Sequence, residues 1–352
     1  MKRIFLSYLV IVALTSSVVF TSCNNKDEDE DENEIEDNFY KPQKGDVYVA
    51  GYDGNFALLW KNGIAQNLNS GKNNAEANSV FISDSDVYVT GFENSRVGYV
   101  ARLWKNGVTQ NLTDKPQTFA NSVFASSGNV YVTGYEYNDA EGIVLAKLWK
   151  NGIDQNFNDG IPTVIVSVYV SGDDVYVAGV TGTKEEQDVP TVWKNGVAQK
   201  LITDGIWGAY ANSVFVSGKD VYVCGYDGIV AKLWKNGVAQ NLNDGTNEAM
   251  AISVYVSGGN VYVAGYERKY LPIATVWENG IAQNLLNEGT YSGAKSVFIS
   301  GNDVYVVGYE NINNQPYAAN IDIAKFWKNG VEQNLSDGKQ NACANSVFVV
   351  EN

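Results

Sequence analysis

The chain has 352 residues and is acidic, with 40 Asp and Glu residues against 25 Lys and Arg residues. This balance disfavours nucleic acid as a partner, because binding to phosphates needs clustered positive charge. The chain contains no histidine, which excludes the usual general base, the commonest metal ligand and every triad that depends on imidazole.

Residues 1–22 are predicted to be a secretion signal. Two basic residues precede an apolar stretch over residues 4–20, and small residues follow up to Cys23. Residues 20–23, Phe-Thr-Ser-Cys, resemble the lipobox of bacterial lipoproteins, which implies cleavage before Cys23 and a lipid on its thiol. The alternatives are a plain signal peptide or an anchor helix, although the apolar run is somewhat short to span a bilayer and lacks a basic flank.

Residues 23–40 are predicted to be a disordered acidic tether between the lipidated cysteine and the fold. Nine acidic residues lie between Asp27 and Asp37, and such a block of like charges stays solvated and extended. One interpretation is a passive spacer. An acidic run directly after the lipidated cysteine also resembles the export signal that sends lipoproteins of the Bacteroidota to the outer face of the outer membrane. That resemblance implies a cell-surface protein attached to the membrane through its lipid.

Residues 41–352 carry seven copies of one repeat, which three markers identify. The tripeptide Val-Tyr-Val recurs at a spacing of 40 to 46 residues, beginning at Val47, Val87, Val130, Val175, Val221, Val261 and Val304. A tryptophan follows in every unit, at Trp60, Trp104, Trp149, Trp193, Trp234, Trp277 and Trp327. Ser-Val-Phe or Ser-Val-Tyr is the third marker, beginning at Ser79, Ser122, Ser167, Ser213, Ser253, Ser296 and Ser346. A period in this range is typical of repeat architectures.

Each unit is predicted to form four short strands, because it holds four segments rich in β-branched and aromatic residues. Asn-Gly separates the third segment from the fourth in all seven units and supplies the positive φ that a type I′ hairpin turn needs. The sequence therefore predicts an all-β fold, a single seven-bladed β-propeller of four-stranded blades.

The ends of the repeat region predict how the ring closes. The region begins with the second strand of a unit, at Val47, and stops just after the first strand of one, residues 346–350. The C-terminal strand is therefore expected to complete the N-terminal blade, so that no inner edge stays unpaired in a monomeric ring. The strand order, with a glycine ending the second strand and a tryptophan in the third, resembles the kelch class of propellers without its paired glycines. The resemblance implies architecture and no partner.

The remaining markers of chemistry are few. Cys23, Cys224 and Cys343 have no regular spacing, so neither a disulfide framework nor a zinc site is predicted. Cys224 replaces the Ala or Thr of a repeated strand and is expected to be a small buried residue. The seven repeat tryptophans are expected to pack the blades. No cofactor, metal site or catalytic residue is predicted.

Loop lengths distinguish two faces of the ring. We call the side with the first-to-second and third-to-fourth turns of each blade the constant face, because these turns hardly vary. The other side, the variable face, carries the second-to-third and the inter-blade connections. The distance from Val-Tyr-Val to the tryptophan varies there from 13 to 23 residues. Variation among near-identical units marks the face where binding residues usually lie.

The candidate ligand-binding residues come from this variable face. Trp207 is the one tryptophan outside the repeat, which makes it a candidate for stacking on a sugar or anchoring a protein. The other candidates are Tyr52, Tyr99, Glu136, Tyr137, Tyr210, Arg268, Tyr270 and Tyr317. The alternative for each aromatic residue is that it folds down onto its own blade.

Three functions are consistent with these features. The first is a lipid-anchored, non-catalytic surface module that presents the variable face to a glycan or a protein. The second is a carboxylate-dependent glycoside hydrolase or lyase, since such enzymes need a pair of carboxylates at one site. The third is a structural docking subunit of an outer-membrane complex.

Overall fold

The computed structural model describes residues 39–138, 142–155, 157, 163–182, 188–203, 208–313 and 321–351. This part of the chain contains 28 strands, which form seven four-stranded antiparallel sheets. None of the helices within these residues is long and apolar enough to cross a membrane.

The strands are numbered in chain order and grouped into blades. Blade 1 contains β1 (Val47–Asp53), β2 (Phe56–Lys61), β3 (Ile64–Asn67) and β28 (Ala342–Val349), and blade 2 contains β4 (Ala75–Ser83), β5 (Asp86–Ser95), β6 (Gly98–Lys105) and β7 (Val108–Asn111). Blade 3 contains β8 (Thr118–Ser126), β9 (Asn129–Asn138), β10 (Ile143–Lys150) and β11 (Ile153–Asp154), and blade 4 contains β12 (Thr163–Ser171), β13 (Asp174–Thr181), β14 (Val189–Lys194) and β15 (Val197–Lys200). Blade 5 contains β16 (Ala209–Ser217), β17 (Asp220–Asp227), β18 (Val230–Lys235) and β19 (Val238–Asn241), and blade 6 contains β20 (Glu248–Ser257), β21 (Asn260–Arg268), β22 (Pro272–Glu278) and β23 (Ile281–Asn284). Blade 7 contains β24 (Ser292–Ser300), β25 (Asp303–Asn311), β26 (Asp322–Lys328) and β27 (Val331–Asn334).

These sheets confirm the predicted seven-bladed propeller and its closure. The innermost strand of each blade contacts the innermost strands of both neighbouring blades, so that β28, β4, β8, β12, β16, β20 and β24 form a ring around a central channel. The C-terminal strand β28 pairs antiparallel with β1, from Val47 opposite Val349 to Asp53 opposite Ala342. Blade 1 is therefore built from both ends of the repeat region.

Neighbouring blades pack through side chains that alternate along each inner strand. In β4, Ala75, Ala77, Val80 and Ile82 are buried, and the residues between them are half-buried. The other six inner strands show this pattern with small changes. The buried set therefore packs between blades, and the half-buried set lines the channel.

The seven repeat tryptophans are buried between blades, with exposed fractions of 0–5%. Trp234 of blade 5 shares a hydrophobic cluster with Val192 and Leu201 of blade 4. Its Nε1–H donates to the backbone carbonyl of Ile202 at 2.8 Å. The predicted role of the seven repeat tryptophans in blade packing is confirmed. Cys224 is also buried, as expected.

A closed ring of hydrogen bonds joins the inner strands. In every blade the N–H of the valine in Ser-Val donates to the serine Oγ of the preceding blade at 3.2–3.3 Å. The bond from Val80 to Ser346 closes the ring across the two ends of the chain. Each repeated serine is therefore a link between blades.

The turns and the repeated glycines have the conformations that the sequence pattern predicts. The asparagines of the Asn-Gly turns have φ of 50–51° and the glycines 77–83°, as in type I′ turns. The glycine two residues after Val-Tyr-Val faces a β-bulge in the inner strand, seen as a register shift between Ala77 and Ser79 in blade 2. A Cβ on Gly91 would lie 1.8 Å from the carbonyl oxygen of Glu76, so no larger residue fits there.

The constant face carries a polar cluster that recurs around the ring. In blade 2, Lys105 Nζ lies 2.7 Å from Asp86 and 5.4 Å from the ring centroid of Tyr88. The turn residue Asn106 donates to Asp86 and accepts from the N–H of Val87, both at 2.8 Å. The lysine rim of this face is thus tied to its own blades.

Residues 39–46 approach blade 1 from the constant face. The N–H of Gly45 donates to the carbonyl of Val350 at 2.8 Å, and the N–H of Val350 donates to the carbonyl of Asp46 at 3.0 Å. The two ends of the propeller are therefore bonded to each other on this face.

Candidate functional site at the channel mouth

The connections that the sequence assigns to the variable face do lie together. Inter-blade loops lie beside the end of the second strand in the blade that they enter. The N–H of Asn94 donates to the carbonyl of Asn74 at 2.7 Å, and the N–H of Tyr137 donates to the carbonyl of Gln117 at 2.9 Å. The loops therefore surround the end of the channel at which the inner strands begin.

Two concentric rings of side chains form this mouth. The inner ring consists of the inner-strand residues two positions before each bulge, namely Glu76, Phe119, Val164, Tyr210, Met250, Gly293 and Cys343. Their cross-strand partners form the outer ring, which consists of Phe92, Tyr135, Val180, Tyr226, Tyr266, Tyr309 and Tyr52. Most members of the outer ring are aromatic, so the mouth offers ring faces and edges to a ligand.

The largest aromatic group that the described residues form at the mouth spans blades 2 and 3. The ring of Phe119 stacks on Tyr135 with centroids 4.9 Å apart and meets Phe92 edge-on at 5.0 Å. Tyr99 packs against Phe92 at 5.3 Å and Phe119 at 5.6 Å. All four side chains are half-buried, so they form a packed platform with exposed area.

A second aromatic pair lies across the mouth in blade 5. The rings of Tyr210 and Tyr226 stack at 5.4 Å with an interplanar angle of 20°. The hydroxyl of Tyr210 donates to Asp188 Oδ2 at 2.9 Å. Burial and the carboxylate of Asp188 raise the pKa of Tyr210 to about 12. This tyrosine is thus a neutral hydrogen-bonding group in the physiological range.

Below the inner ring lies a ring formed by the bulge residues Asn78, Asn121, Val166, Asn212, Ile252, Lys295 and Asn345. The asparagines donate from Nδ2 to a strand carbonyl of the next blade, as in Asn78 to Ala120 at 2.9 Å and Asn121 to Ile165 at 3.2 Å. The bulge directs these side chains across the blade interface, which leaves each Oδ1 as an acceptor.

Glu76 and Lys295 are the two charged side chains that the structure places in these rings. Within the described residues, neither forms a hydrogen bond or an ion pair. Lys295 Nζ lies 5.7 Å from the ring centroid of Tyr309. Burial raises the pKa of Glu76, and the charge of Lys295 offsets this only in part. A carboxylate and an ammonium group are therefore held, half-buried and unpaired, on one side of an aromatic mouth.

Further down the channel, seven aromatic residues form a closed ring, with neighbouring centroids 4.3–5.0 Å apart. Its members are Phe81, Phe124, Tyr169, Phe215, Tyr255, Phe298 and Phe348. They line a cavity of about 360 Å³ that ends near Asp84 and Glu351 on the constant face. Each comes from a Ser-Val-Phe or Ser-Val-Tyr marker, so the repeat itself builds this lining.

The predicted site residues are distributed unevenly in the structure. Tyr52 and Tyr210 lie in the two mouth rings, and Tyr99 lies in the platform beside them. Tyr137 and Tyr270 are exposed to 42% and 90%. The candidates outside the described residues are Cys23, Trp207 and Tyr317.

Glu136 and Arg268 lie in ion pairs. Glu136 is buried between Lys115 at 3.0 Å and Lys147 at 3.1 Å, and Arg268 lies 3.0 Å from Glu248. The pair of Glu136 with Lys147 recurs at the same strand positions in other blades, as Arg102 with Glu93, Lys232 with Asp227 and Lys325 with Glu310. A carboxylate at this position therefore stabilises its own blade.

The sequence reasoning did not single out Glu76, Phe119 or Lys295 as ligand-binding candidates. A signal for the first two was present in the repeat. Each stands between two small residues that are buried between blades, Ala75 and Ala77 for Glu76 and Thr118 and Ala120 for Phe119, and the middle residue changes from unit to unit. A variable position between two repeated small residues marks a side chain that points into the channel.

No protein-family model and no curated protein matches the chain. Among solved structures, it is similar to an acylaminoacyl peptidase of Pyrococcus horikoshii, with 13% identity, 85% of this chain and 52% of that chain covered, and a TM-score of 0.50. It is also similar to a puromycin-hydrolyzing peptidase of Mycobacterium tuberculosis, with 10% identity, 76% and 46% covered, and a TM-score of 0.50. The computationally designed protein Ika8 matches with 17% identity, 86% and 90% covered, and a TM-score of 0.45.

The chain thus spans about half the length of the two peptidases. At these identities the likeness shows the fold alone.

Proposed function

We propose that the protein is a lipid-anchored, non-catalytic binding module that holds a glycan at the channel mouth of its variable face. The observation that carries this proposal is the pair of unpaired charges, Glu76 and Lys295, beside the aromatic platform. Buried polar groups normally have a hydrogen-bond partner in a folded protein, either a protein group or water. A carboxylate and an ammonium group without partners, at the open end of a channel, support a polar ligand that supplies them.

The composition of the mouth suits a sugar. The platform of Phe92, Tyr99, Phe119 and Tyr135 presents apolar ring area on which the C–H face of a pyranose packs. Glu76 accepts hydrogen bonds from hydroxyl groups, and Lys295 donates them. A mostly apolar concavity with a few convergent polar groups is typical of small-molecule and cofactor sites.

The sequence before the propeller supports a location at the cell surface. The lipobox-like sequence around Cys23 and the acidic run behind it support attachment to the outer face of the outer membrane. Residues 24–38 span at most about 50 Å when fully extended. Residues 39–46 join the propeller on the constant face, so the channel mouth lies on the side of the ring opposite the point where the tether attaches.

The acidic residues Glu136 and Glu310 do not support catalysis by a carboxylate pair. A glycoside hydrolase needs two carboxyl groups flanking one bond. Glu136 faces Lys115 and Lys147, and Glu310 faces Lys325. In the described parts of the two mouth rings, Glu76 has no second carboxylate beside it. These contacts favour binding over hydrolysis.

We expect Glu76→Gln and Lys295→Met each to weaken glycan binding at least about tenfold, because a lost hydrogen bond to a charged group costs about 1.5–3 kcal/mol. Phe119→Ala should also weaken binding, because it removes ring area from the platform. The measurement is an array of polysaccharides probed with soluble residues 24–352, followed by titration calorimetry on the best ligand. Lys219→Met, on an exposed turn of the constant face, is the control and should bind like the wild type. Absence of any glycan ligand, or equal binding by all variants, would refute the proposal, and product release would refute its non-catalytic part.

Glycan binding should also weaken as the pH falls through the raised pKa of Glu76. Protonation removes the charge that accepts the ligand's hydroxyl groups, and burial moves this step above the value of about 4.3 for an ordinary glutamate. The groups that act on Glu76 from other strands are Lys295, Tyr52, Tyr135 and Cys343. Calorimetry between pH 4 and 8 should show this loss in the wild type and a flat profile in Glu76→Gln. Parallel profiles would contradict the role of Glu76.

A further inference from the structure

A groove opens on the constant face wherever two blades meet, and the chain fills one of these grooves itself. Between blades 1 and 2, Phe39 is only 8% exposed and packs in one cluster with Tyr48, Leu68 and Val89. Tyr40 packs against the same cluster and covers Gly107, the turn glycine of blade 2. An aromatic dipeptide thus occupies this groove.

The backbone of the inserted segment is bound as well as its side chains. The hydroxyl of Tyr48 donates to the carbonyl of Phe39 at 3.2 Å, and Lys61 Nζ donates to the carbonyl of Lys41 at 3.0 Å. Lys61 also keeps its ion pair with Asp46 at 2.9 Å. This tyrosine and lysine belong to the repeat, so the groups that hold the segment recur in other blades.

Two equivalent grooves contain cavities. Between blades 7 and 1 the cavity measures about 510 Å³, and its lining includes Tyr305, Phe326, Gln333, Leu335, Val47 and Val49. Between blades 3 and 4 it measures about 470 Å³, and its lining includes Tyr131, Leu148, Gln155, Phe157, Val175 and Val177. These residues occupy the repeat positions that surround Phe39 and Tyr40, and the matching lysines, Lys328 and Lys150, line the cavities too.

Other grooves are covered by the protein's own polar side chains. A Cβ on Gly237 would lie 2.6 Å from Gln199 Nε2, and one on Gly280 would lie 2.8 Å from Gln240 Nε2. At Gly196, in the groove between blades 3 and 4, nothing lies within 4 Å, and the same is true of the turn glycines Gly152 and Gly330 of blades 3 and 7. The same repeat therefore yields filled, covered and open grooves.

We infer that the two grooves with these cavities, between blades 7 and 1 and between blades 3 and 4, are docking sites for an extended peptide segment of a partner protein that carries two adjacent aromatic residues. Phe39 and Tyr40 show which chemistry such a groove accepts. An incoming segment finds apolar walls at the same repeat positions, with Tyr305 and Lys328 or Tyr131 and Lys150 in place of Tyr48 and Lys61. Tyr305 and Lys328 also contact Asp303, as Lys61 contacts Asp46. The partner would reach the constant face, opposite the glycan mouth, so this inference does not depend on the proposed function.

The test uses the soluble chain of residues 24–352 and a fluorescein-labelled peptide Asn-Phe-Tyr-Lys-Pro, the sequence of residues 38–42. Titration calorimetry and fluorescence anisotropy should show two sites per chain. Gln333→Trp and Gln155→Trp, on outer strands or their exposed ends, should each fill one groove and remove one site, and the double variant should bind at least tenfold more weakly. Gln199→Trp, in a groove already covered, is the matched control and should keep both sites.

A variant with Phe39→Ala and Tyr40→Ala should show a third site, because it empties the first groove. Absence of binding at millimolar peptide would overturn the inference, as would equal binding of Asn-Ala-Ala-Lys-Pro or full binding by the double variant. A concentration-dependent dimer that the peptide disperses would assign the grooves to a second copy of the chain and would also overturn it. Thermal unfolding of each variant confirms that the ring stays folded.

Discussion

A chain that ends at Asn341 should lose its cooperative unfolding transition, because it lacks the strand that closes the ring. Without β28, the inner edge of β1 has no partner along its whole length. The change removes the buried side chains of Ala342, Ala344 and Val347. It also breaks the serine ring on both sides of blade 1, at Val347 with Ser296 and at Ser346 with Val80.

Differential scanning calorimetry of the truncated and full soluble chains tests this expectation. A chain that ends at Val350 is the control, since it keeps β28 and the bonds of Val350 to Gly45 and Asp46. Its melting temperature should match that of the full chain. A sharp transition at the wild-type temperature in the shorter chain would show that β28 does not close the propeller.

Trp234→Ala should destabilise the protein by about 3–5 kcal/mol, the usual cost of replacing a buried large aromatic residue by alanine. The indole is fully buried between blades 4 and 5, and its Nε1–H bonds the carbonyl of Ile202. The substitution leaves a cavity lined by Val192 and Leu201 and an unpaired carbonyl.

Urea unfolding followed by circular dichroism measures this cost. Val238→Ala lies in the same blade on the outermost strand, where the side chain is 69% exposed, and should change the free energy of unfolding by less than about 0.5 kcal/mol. A cost below about 1 kcal/mol for Trp234→Ala would mean that the repeat tryptophans do not hold the blades together.

The architecture could be predicted from the sequence because each blade repeats the same local chemistry. The Asn-Gly turns set the third-to-fourth hairpins, the buried tryptophans recur in register, and the phase of the repeat at Val47 and Ser346 identifies the closing strand. These signals are local or periodic, so seven copies reinforce one another.

The mouth of the channel could be predicted only in part, because it is assembled from single residues of different blades. Glu76 and Phe119 occupy equivalent positions in two units and lie more than 40 residues apart in the sequence. Lys295 belongs to a third unit and occupies a different position in it. Their proximity depends on the β-bulge, which sequence periodicity does not show. Glu136 is predicted from the sequence to bind a ligand. In the structure it belongs to an ion pair with Lys147 that recurs within other blades.

The bonded ends of the propeller also determine how it bears mechanical force. A pull on the chain that precedes the propeller first meets Phe39 and Tyr40 in their groove and then reaches Val47, the first residue of β1. On its two sides β1 pairs with β28 and with β2. Extracting β1 would therefore break the hydrogen bonds of both ladders. The first strand of the repeat region is thus held on both edges, and one of its two partners comes from the other end of the chain.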